Sequence, residues 1–244
     1  MKSNLKGETA VVTGASGGLG ERIALALAAA GARVVLASRN ESELKRVAIE
    51  IEALGGAALV VPTDVGDEGS VQALFQRVRS ESEGLDLLVN NAGLAEGGAS
   101  DELSFETWRR VLSVNLDGAF LCSREALALM KPRRKGRVIN IGSVSAKVPR
   151  PHSAPYTSSK FGLEGLTRAM ALDAREYGVS VSILHPGNTD TPIWDPRREV
   201  GEREGLMNPD DVAKLVVSMA SFPDDTNLLE ALVLPGSMPF IGRG

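Results

Sequence analysis

The chain has 244 residues, 43% of them hydrophobic, a length that suits one large α/β domain with an ample core. Its 27 basic and 31 acidic side chains give a net charge of −4, which provides no general attraction to nucleic acid or to a membrane surface. No run reaches the roughly 18 apolar residues of a membrane span. The N-terminal MKSNLKGETAVV has too short an apolar run for a signal peptide. We therefore expect neither a nucleic-acid nor a membrane partner.

Seven short β-branched runs alternate with longer amphipathic patterns from one end of the chain to the other. Strands are predicted at 9–13, 33–38, 58–62, 85–90, 137–143, 179–184 and 229–234, and helices near 18–30, 41–54, 67–82, 101–130, 155–177 and 209–221. Because helical crossovers join the strands, we expect an α/β fold: one mostly parallel, doubly wound sheet of seven strands with helices on both faces. No linker divides the chain, so residues 1–244 are predicted to form a single domain.

Ligands of such sheets bind beyond the carboxyl ends of the strands, so a candidate site residue should follow a strand. After the first strand, TGASGGLG (13–20) runs directly into a helix. Gly14, Gly18 and Gly20 allow a tight turn, close approach of the backbone to a pyrophosphate and close helix packing. The helix N-terminus adds N–H donors and a positive dipole end. This placement predicts a dinucleotide-binding Rossmann fold.

The end of the second strand discriminates between the two nicotinamide dinucleotides. An NAD-selective site places a carboxylate there to hold the ribose 2′-hydroxyl, but this chain has Ser38, Arg39 and Asn40. A guanidinium without a competing carboxylate favours the 2′-phosphate of NADP(H). The alternative is that Arg39 points into solvent, in which case NAD(H) is also accepted. After the third strand, Asp64 is predicted to accept a hydrogen bond from the adenine amino group, or else to cap a helix.

The stretch YTSSK (156–160) sets a phenol and an ammonium on one face of a helix. A free tyrosine has a pKa of about 10, too high for an efficient base near neutrality. A positive charge about 4 Å away, at an effective dielectric of about 20, contributes roughly 4 kcal/mol and could lower that pKa by up to about 3 units. Tyr156 is therefore a candidate general acid and base, with Lys160 as its activating cation.

The motifs TGASGGLG, NNAG (90–93), SVNLDGAF, INIGS, YTSSK and HPGNTDT (185–191) occur in an order and at spacings that resemble the short-chain dehydrogenase/reductase family over nearly the whole chain. The resemblance implies hydride transfer between a nicotinamide and a carbonyl or alcohol carbon. It also implies a catalytic tetrad of Asn115, Ser143, Tyr156 and Lys160. Alternatively, Asn115 is a buried structural amide and Ser143 a turn serine with a local backbone bond. The family's equivalent helices pair between subunits, so a homo-oligomer, a tetramer or dimer, is expected.

The strand-end rule and the resemblance together give the predicted cofactor-contacting residues. They are Gly14, Ser16, Gly17, Gly18, Leu19, Gly20, Ser38, Arg39, Asn40, Asp64, Val65, Asn91, Ala92, Gly93, Tyr156, Lys160, Pro186, Gly187, Thr189 and Thr191. Asn90 is either close to the cofactor or a brace at the end of its strand. Substrate walls are predicted at 94–100, 144–155 and 188–208, the last acting as a lid.

The leading functional prediction is an NADP(H)-dependent carbonyl reductase, such as a 3-oxoacyl-thioester or small-ketone reductase. An NAD-dependent alcohol dehydrogenase and a dinucleotide-binding sensor or scaffold without turnover are the alternatives. Cys122 is the single cysteine, so no internal disulfide forms and a reducing cytoplasm fits. His152 and His185 lie far apart in the sequence, so no zinc site of the usual kind is expected. The basic run KPRRKGR (131–137) precedes a strand and is expected to be a solvated loop, with nucleic-acid contact as its alternative.

Overall fold

A computed structural model describes residues 5–239, except the side chains of residues 196 and 197; residues 1–4 and 240–244 of the predicted domain lie outside it. Seven strands form one sheet in the order β3-β2-β1-β4-β5-β6-β7, and all neighbours pair in parallel. The strands are β1 (Thr9–Thr13), β2 (Arg33–Ser38), β3 (Ala57–Pro62), β4 (Leu87–Asn90), β5 (Gly136–Ile141), β6 (Val179–Pro186) and β7 (Glu230–Val233). The predicted doubly wound parallel sheet is confirmed.

The helices cover both faces of this sheet, and the alternation of side chains along the strands explains why. In β1, Val12 faces a core built with the helices Gly18–Ala29 and Pro209–Ala220, whereas Val11 faces a core built with Glu68–Glu81 and Gly118–Arg133. A strand buried on both faces needs apolar residues at consecutive positions. The helices are α1 (Gly18–Ala29), α2 (Glu41–Ala53), α3 (Glu68–Glu81), α4 (Phe105–Leu112), α5 (Gly118–Arg133), α6 (Ala154–Arg175), α7 (Arg198–Glu204) and α8 (Pro209–Ala220).

Three predicted boundaries are wrong in ways that affect the site. The stretch 101–130 is not one helix: α4 begins after Ser104, whose hydroxyl caps it, and a π-helical turn at Ser113–Asp117 separates α4 from α5. Strand β5 ends at Ile141, so Ser143 lies in the turn beyond the strand. The lid segment contains a 3-10 helix at Pro192–Arg197 and then α7, neither of which was predicted.

The expectation that KPRRKGR forms a solvated loop is only partly right: residues 132–134 are exposed, but only residues 134 and 135 lie outside a helix or strand. Its first residues end α5, and its cations bind groups at the edge of the sheet opposite the cavity described below. Arg133 Nη2 and Lys135 Nζ lie 3.1 and 2.9 Å from Asp86 Oδ1, and Arg134 donates to the carbonyl of Glu176 at 2.6 Å. Burial alone would raise the pKa of the Asp86 carboxyl, but the N–H of Thr9 and the cations of Lys135 and Arg133 hold that pKa below its ordinary value.

Cys122 lies in the core between the sheet and α5 and is fully buried. Burial raises the pKa of its thiol to about 12, because the thiolate would lose its hydration. None of the helices in residues 5–239 has the length and the uninterrupted apolar character that crossing a bilayer requires.

Candidate active site

A cavity of about 960 Å³ opens along the carboxyl ends of the parallel strands. Its walls come from the turns that follow β1 through β6, which meet at this edge because the strands are parallel. All the predicted cofactor-contacting residues line it. Of the predicted tetrad, Ser143, Tyr156 and Lys160 line the cavity, whereas Asn115 lies behind its wall.

The glycine loop between β1 and α1 forms one end of this cavity. Gly14 has a φ of +66°, and a Cβ there would lie 2.9 Å from the Cα of Ala92. A Cβ on Gly20 would overlap the carbonyl oxygen of Gly14. Gly17 is the N-cap residue of α1 and has no side chain to cap the helix. The first backbone N–H groups of α1 therefore need another acceptor. The glycines thus leave backbone uncovered by side chains at the positive end of a helix, which fits a pyrophosphate.

Two substitutions separate the packing role of these glycines from their flexibility. Gly20→Ala should lower the free energy of unfolding by about 1–3 kcal/mol, because the new methyl group forces the loop apart. Gly17→Ala should change it by less than about 0.5 kcal/mol, because nothing lies within 4 Å of a Cβ there and the backbone is extended, with a φ of 176°. Urea denaturation of both variants measures the difference. Equal stability of the two variants would contradict the packing argument.

The segment after β4 is fixed to the glycine loop through Thr13. The Thr13 hydroxyl oxygen accepts from the backbone N–H groups of Asn91 and Ala92 at 3.0 and 3.1 Å. The Asn91 side chain donates back to the Thr13 carbonyl at 3.0 Å. Asn90 points the other way, into the core, where its amide donates to Asn140 Oδ1 at 2.8 Å. The structure therefore supports the interpretation of Asn90 as a brace at the end of its strand.

The end of the cavity that is predicted to hold the adenosine lies beyond β2 and β3, where Arg39 is exposed. Within residues 5–239, Arg39 makes no hydrogen bond or ion pair, unlike its neighbour Asn40, whose side chain caps α2. Asp64 does not cap a helix; Asp67 caps α3, and Asp64 Oδ1 accepts from the N–H of Gly66 at 3.0 Å. This end thus offers one unpaired guanidinium, and the described lining residues beyond β2 include no carboxylate.

The Tyr156–Lys160 pair lies at the other end of the cavity, on the first turns of α6. Lys160 Nζ lies 5.6 Å from the centre of the Tyr156 ring and donates to the Ile141 carbonyl at 2.8 Å. Burial lowers the pKa of Lys160 to about 8, because the ammonium loses its hydration and no carboxylate replaces it. The two side chains therefore share one wall, and the lysine charge is close enough to act on the ring.

Ser143 follows β5 and faces the same end of the cavity. Its hydroxyl oxygen accepts from the N–H of Ser145 at 3.1 Å, which is the local backbone bond expected of a turn serine. That bond uses an oxygen lone pair and leaves the hydroxyl hydrogen available to donate into the cavity. The two interpretations of Ser143 are therefore compatible.

Asn115 lies in the π-helical turn and is almost fully buried. Its amide donates to the Leu94 carbonyl at 2.9 Å and to Ser159 Oγ at 3.0 Å, and its Oδ1 accepts from the Leu94 N–H at 2.8 Å. It therefore ties the segment after β4 to α6, one residue before Lys160. Its predicted membership of the catalytic tetrad stays a prediction.

His185 is fully buried behind Ser143 and is tied to its backbone, with Nδ1 3.0 Å from the Ser143 carbonyl oxygen. Its ring lies near Glu164 and Glu230. The sequence did not indicate this cluster, because the three residues are far apart along the chain. Lys147 already occupies the space between the carboxylates, with Nζ 2.8 Å from Glu164 and 2.5 Å from Glu230. Burial and the Lys147 charge lower the pKa of His185.

Comparison with known proteins agrees with this geometry. The family model of the short chain dehydrogenases matches residues 8–201. The chain belongs to the short-chain dehydrogenase family.

Similar proteins cover nearly the whole length of this short-chain dehydrogenase. The 3beta-hydroxysteroid dehydrogenase 1 of Eggerthella lenta is 40% identical over 233 residues, 91% of this chain and 89% of that protein. The cis-4-hydroxycyclohexanecarboxylate dehydrogenase of Sinomonas cyclohexanicum is 38% identical over 221 residues, 87% and 88% of the two chains. The crystal structure of a metagenomic short-chain oxidoreductase in complex with NADP superposes with a TM-score of 0.85 at 35% identity, covering 95% of this chain and 98% of that one.

In this short-chain dehydrogenase the first part of the lid segment, residues 188–194, lines the region between the two ends of the cavity. Thr191 and Pro192 lie over the glycine loop, each with an atom 3.6 Å from where a Cβ of Gly18 would be. Thr189 is buried and forms an isolated bridge with Met207, which holds the base of the lid. Pro186 and Gly187 continue the wall from the end of β6.

Several site residues were not singled out from the sequence. Thr13 and Ser159 are ordinary polar residues in the sequence, and their roles come from partners that are distant along the chain. Arg150 and Asn188 line the cavity and bind Glu204 of α7. The predicted walls 144–155 and 188–208 include all three residues, but the mixed charges of the lid gave no indication of this pairing.

Proposed function

We propose that this short-chain dehydrogenase transfers a hydride between NADP(H) and a carbonyl or secondary alcohol substrate. The observation that carries the proposal is one continuous cavity with two chemically distinct ends. One end is the glycine-rich loop at the start of α1, and the other holds Tyr156, Lys160 and Ser143. A dinucleotide lying along the strand ends would have its phosphates at the first and its nicotinamide near the second.

The residues present fit NADP(H). The glycine loop leaves room for the pyrophosphate, and the exposed, unpaired Arg39 beyond β2 suits a 2′-phosphate. Binding of NADP by the structural neighbour of 35% identity supports this choice. When bound, the cofactor supplies or accepts the hydride, and the chain's own residues handle the proton.

Tyr156 donates its phenolic proton to the carbonyl oxygen during reduction and takes a proton from the alcohol during oxidation. The buried Lys160 ammonium stabilises the deprotonated phenol, since few other charges or waters screen it there. Ser143 uses its free hydroxyl hydrogen to hold the substrate oxygen. His185, tied to the backbone of Ser143, keeps that hydroxyl in place.

The preference for NADP(H) is tested at Arg39. Arg39→Gln should weaken NADPH binding about 10- to 100-fold, because one charge-assisted bond contributes about 1.5–3 kcal/mol, and it should leave NADH binding unchanged. Lys45→Gln on α2 removes the same charge from a side chain outside the cavity and is the matched control. Fluorescence titration of both cofactors gives the dissociation constants. A wild-type preference for NADH, or equal losses for both cofactors, would favour the NAD-dependent alcohol dehydrogenase instead.

A panel of cyclic and linear ketones and of the matching alcohols, assayed with both cofactors, tests the function itself. We expect carbonyl reduction with NADPH to exceed that with NADH. Tight NADPH binding without oxidation by any ketone, and no reduction of NADP by any alcohol, would support the sensor or scaffold instead. The two relatives are named for substrates of different charge. The name 3beta-hydroxysteroid includes no acid group, whereas cis-4-hydroxycyclohexanecarboxylate is a carboxylate.

We also propose that the protein forms a homo-oligomer through the face of α4, α5 and α6. Phe105, Phe120, Phe161 and Leu172 on these helices are 72%, 42%, 48% and 63% exposed. Large apolar side chains of this kind on neighbouring helices are typical of an association surface. Light scattering of the wild-type protein and of Phe105→Ser measures the assembly.

A further inference from the structure

Arg150, in the loop before α6, forms a bidentate ion pair with Glu204 at the end of α7. Arg150 Nη1 lies 2.8 Å from Glu204 Oε1, and Nη2 binds Oε2. Asn188 bridges the pair: its Oδ1 accepts from Arg150 Nη2 at 3.3 Å, and its Nδ2 donates to Glu204 Oε2 at 3.0 Å. Three separate segments around the substrate end are therefore joined by one polar network.

The network is shielded from solvent and faces the cavity on one side. The side chains of Arg150 and Glu204 are only 15% and 14% exposed. Arg150 and Asn188 line the cavity, whereas Glu204 lies behind them. The Arg150 guanidinium lies 5.3 Å from the centre of the Trp194 ring, so it also supports the tryptophan wall of the lid. A substrate at this end thus meets the guanidinium and not the carboxylate.

The other charges around the cavity do not replace this one. The charged acidic, arginine and lysine side chains among its described lining residues are Arg39, Asp64, Glu96, Arg150 and Lys160. Arg39 and Asp64 lie at the adenosine end, and Glu96 is paired with Arg110. Lys160 is held by the Ile141 carbonyl beside the reacting atoms. Whether the substrate wall is neutral or positive therefore depends on whether Glu204 cancels the charge of Arg150.

We propose that the Arg150–Glu204 pair determines substrate specificity: it makes the substrate end select uncharged carbonyl compounds over those that carry a carboxylate. This rests on the proposed function and adds a substrate class to it. A substrate carboxylate gains little from a guanidinium whose charge is cancelled by Glu204, so the hydration that the carboxylate loses in the cavity is not offset. Removing the Glu204 charge leaves a buried, uncompensated cation facing the cavity.

The test compares two ketones of similar shape, 4-methylcyclohexanone and 4-oxocyclohexanecarboxylate, in wild type and in Glu204→Gln. Wild type should prefer the neutral ketone in kcat/KM. Glu204→Gln should shift the ratio toward the carboxylate by about tenfold or more, because one buried charge is no longer cancelled. Glu202→Gln removes the same charge from an exposed lid residue that pairs with Arg198, and it should leave the ratio unchanged.

A second variant separates a charge effect from a loosened lid. Arg150→Gln combined with Glu204→Gln removes the cation and should abolish the gained preference for the carboxylate. If Glu204→Gln lowers kcat/KM equally for both ketones, the network is merely structural and the proposal is overturned. A wild-type preference for the carboxylate of tenfold or more would overturn it as well.

Binding gives the same comparison without turnover. The chain has two tryptophans, so in a Trp108→Phe background Trp194 is the sole reporter of the substrate wall. Quenching of its fluorescence by each ketone, with NADP present, gives a ratio of dissociation constants that should shift with Glu204→Gln as the kinetic ratio does. If the ratio of dissociation constants shifts but the protein turns over no ketone, the proposed function is wrong and the specificity assignment still holds. No saturable quenching by either ketone, or an unchanged ratio, would overturn the assignment.

Discussion

Tyr156→Phe should lose about 10²–10⁴-fold in turnover, the contribution that a positioned general acid or base makes. The phenyl ring fills the same space beside Lys160, so NADPH affinity and the free energy of unfolding should stay close to the wild-type values. Steady-state reduction of any ketone accepted in the panel measures turnover. Fluorescence titration measures the NADPH affinity, and urea denaturation measures the free energy of unfolding.

The other tyrosine of the chain is the matched control for this variant. Tyr177 lies in the turn two residues beyond α6 with the Lys131 ammonium 4.6 Å from its ring centre, and it does not line the cavity. Tyr177→Phe should therefore retain wild-type turnover. If Tyr156→Phe keeps more than a tenth of the wild-type rate, another group donates the proton and the proposed mechanism fails.

Lys160→Met should make the cofactor-free protein more stable and at the same time nearly inactive. Burial lowers the pKa of Lys160 from 10.5 to about 8, so below pH 8 folding must dehydrate an ammonium at a cost of about 3 kcal/mol. Methionine avoids that cost but loses the bond to the Ile141 carbonyl, which contributes about 1 kcal/mol. A net gain of about 2 kcal/mol at pH 7 is expected from urea denaturation.

The pH dependence of that gain identifies its cause. Between pH 8 and 10.5 the native wild type releases the Lys160 proton while the unfolded chain keeps it, so wild-type stability rises with pH. The advantage of Lys160→Met should therefore be largest below pH 8 and disappear as the pH approaches 10.5. The exposed Lys45 serves as the control, because Lys45→Met should show no such trend. A constant difference across this range would mean that packing, and not the charge, sets the stability.

Much of the fold and of the cavity lining could be predicted because those features depend on local sequence. The glycines of the first turn and the Tyr156–Lys160 spacing each act within a few residues, and the strand-end rule assembles them at one edge. The seven strands followed from apolar runs that a doubly covered parallel sheet requires.

The features that were missed depend on contacts between distant segments. The π-helical turn lets Asn115 reach both Leu94 and Ser159, and no periodicity of residues 101–130 indicates such a break. Likewise, the lid contains several acidic residues that could pair with Arg150. The packing of α7 brings Glu204 to it, which the sequence does not indicate. The end of β5 was placed two residues too late, since nothing in Gly142 and Ser143 marks the turn that the packing of His185 against them forms.

The inertness of Cys122 makes the chain convenient for site-selective chemistry. With the thiol sealed in the core, a maleimide dye would have no native attachment point in this single-cysteine protein. A cysteine introduced in place of the exposed Glu199 on α7 would then be the sole position labelled, without first removing the native one. One substitution would therefore place an optical probe on α7 that reports whether this helix moves when ligands bind.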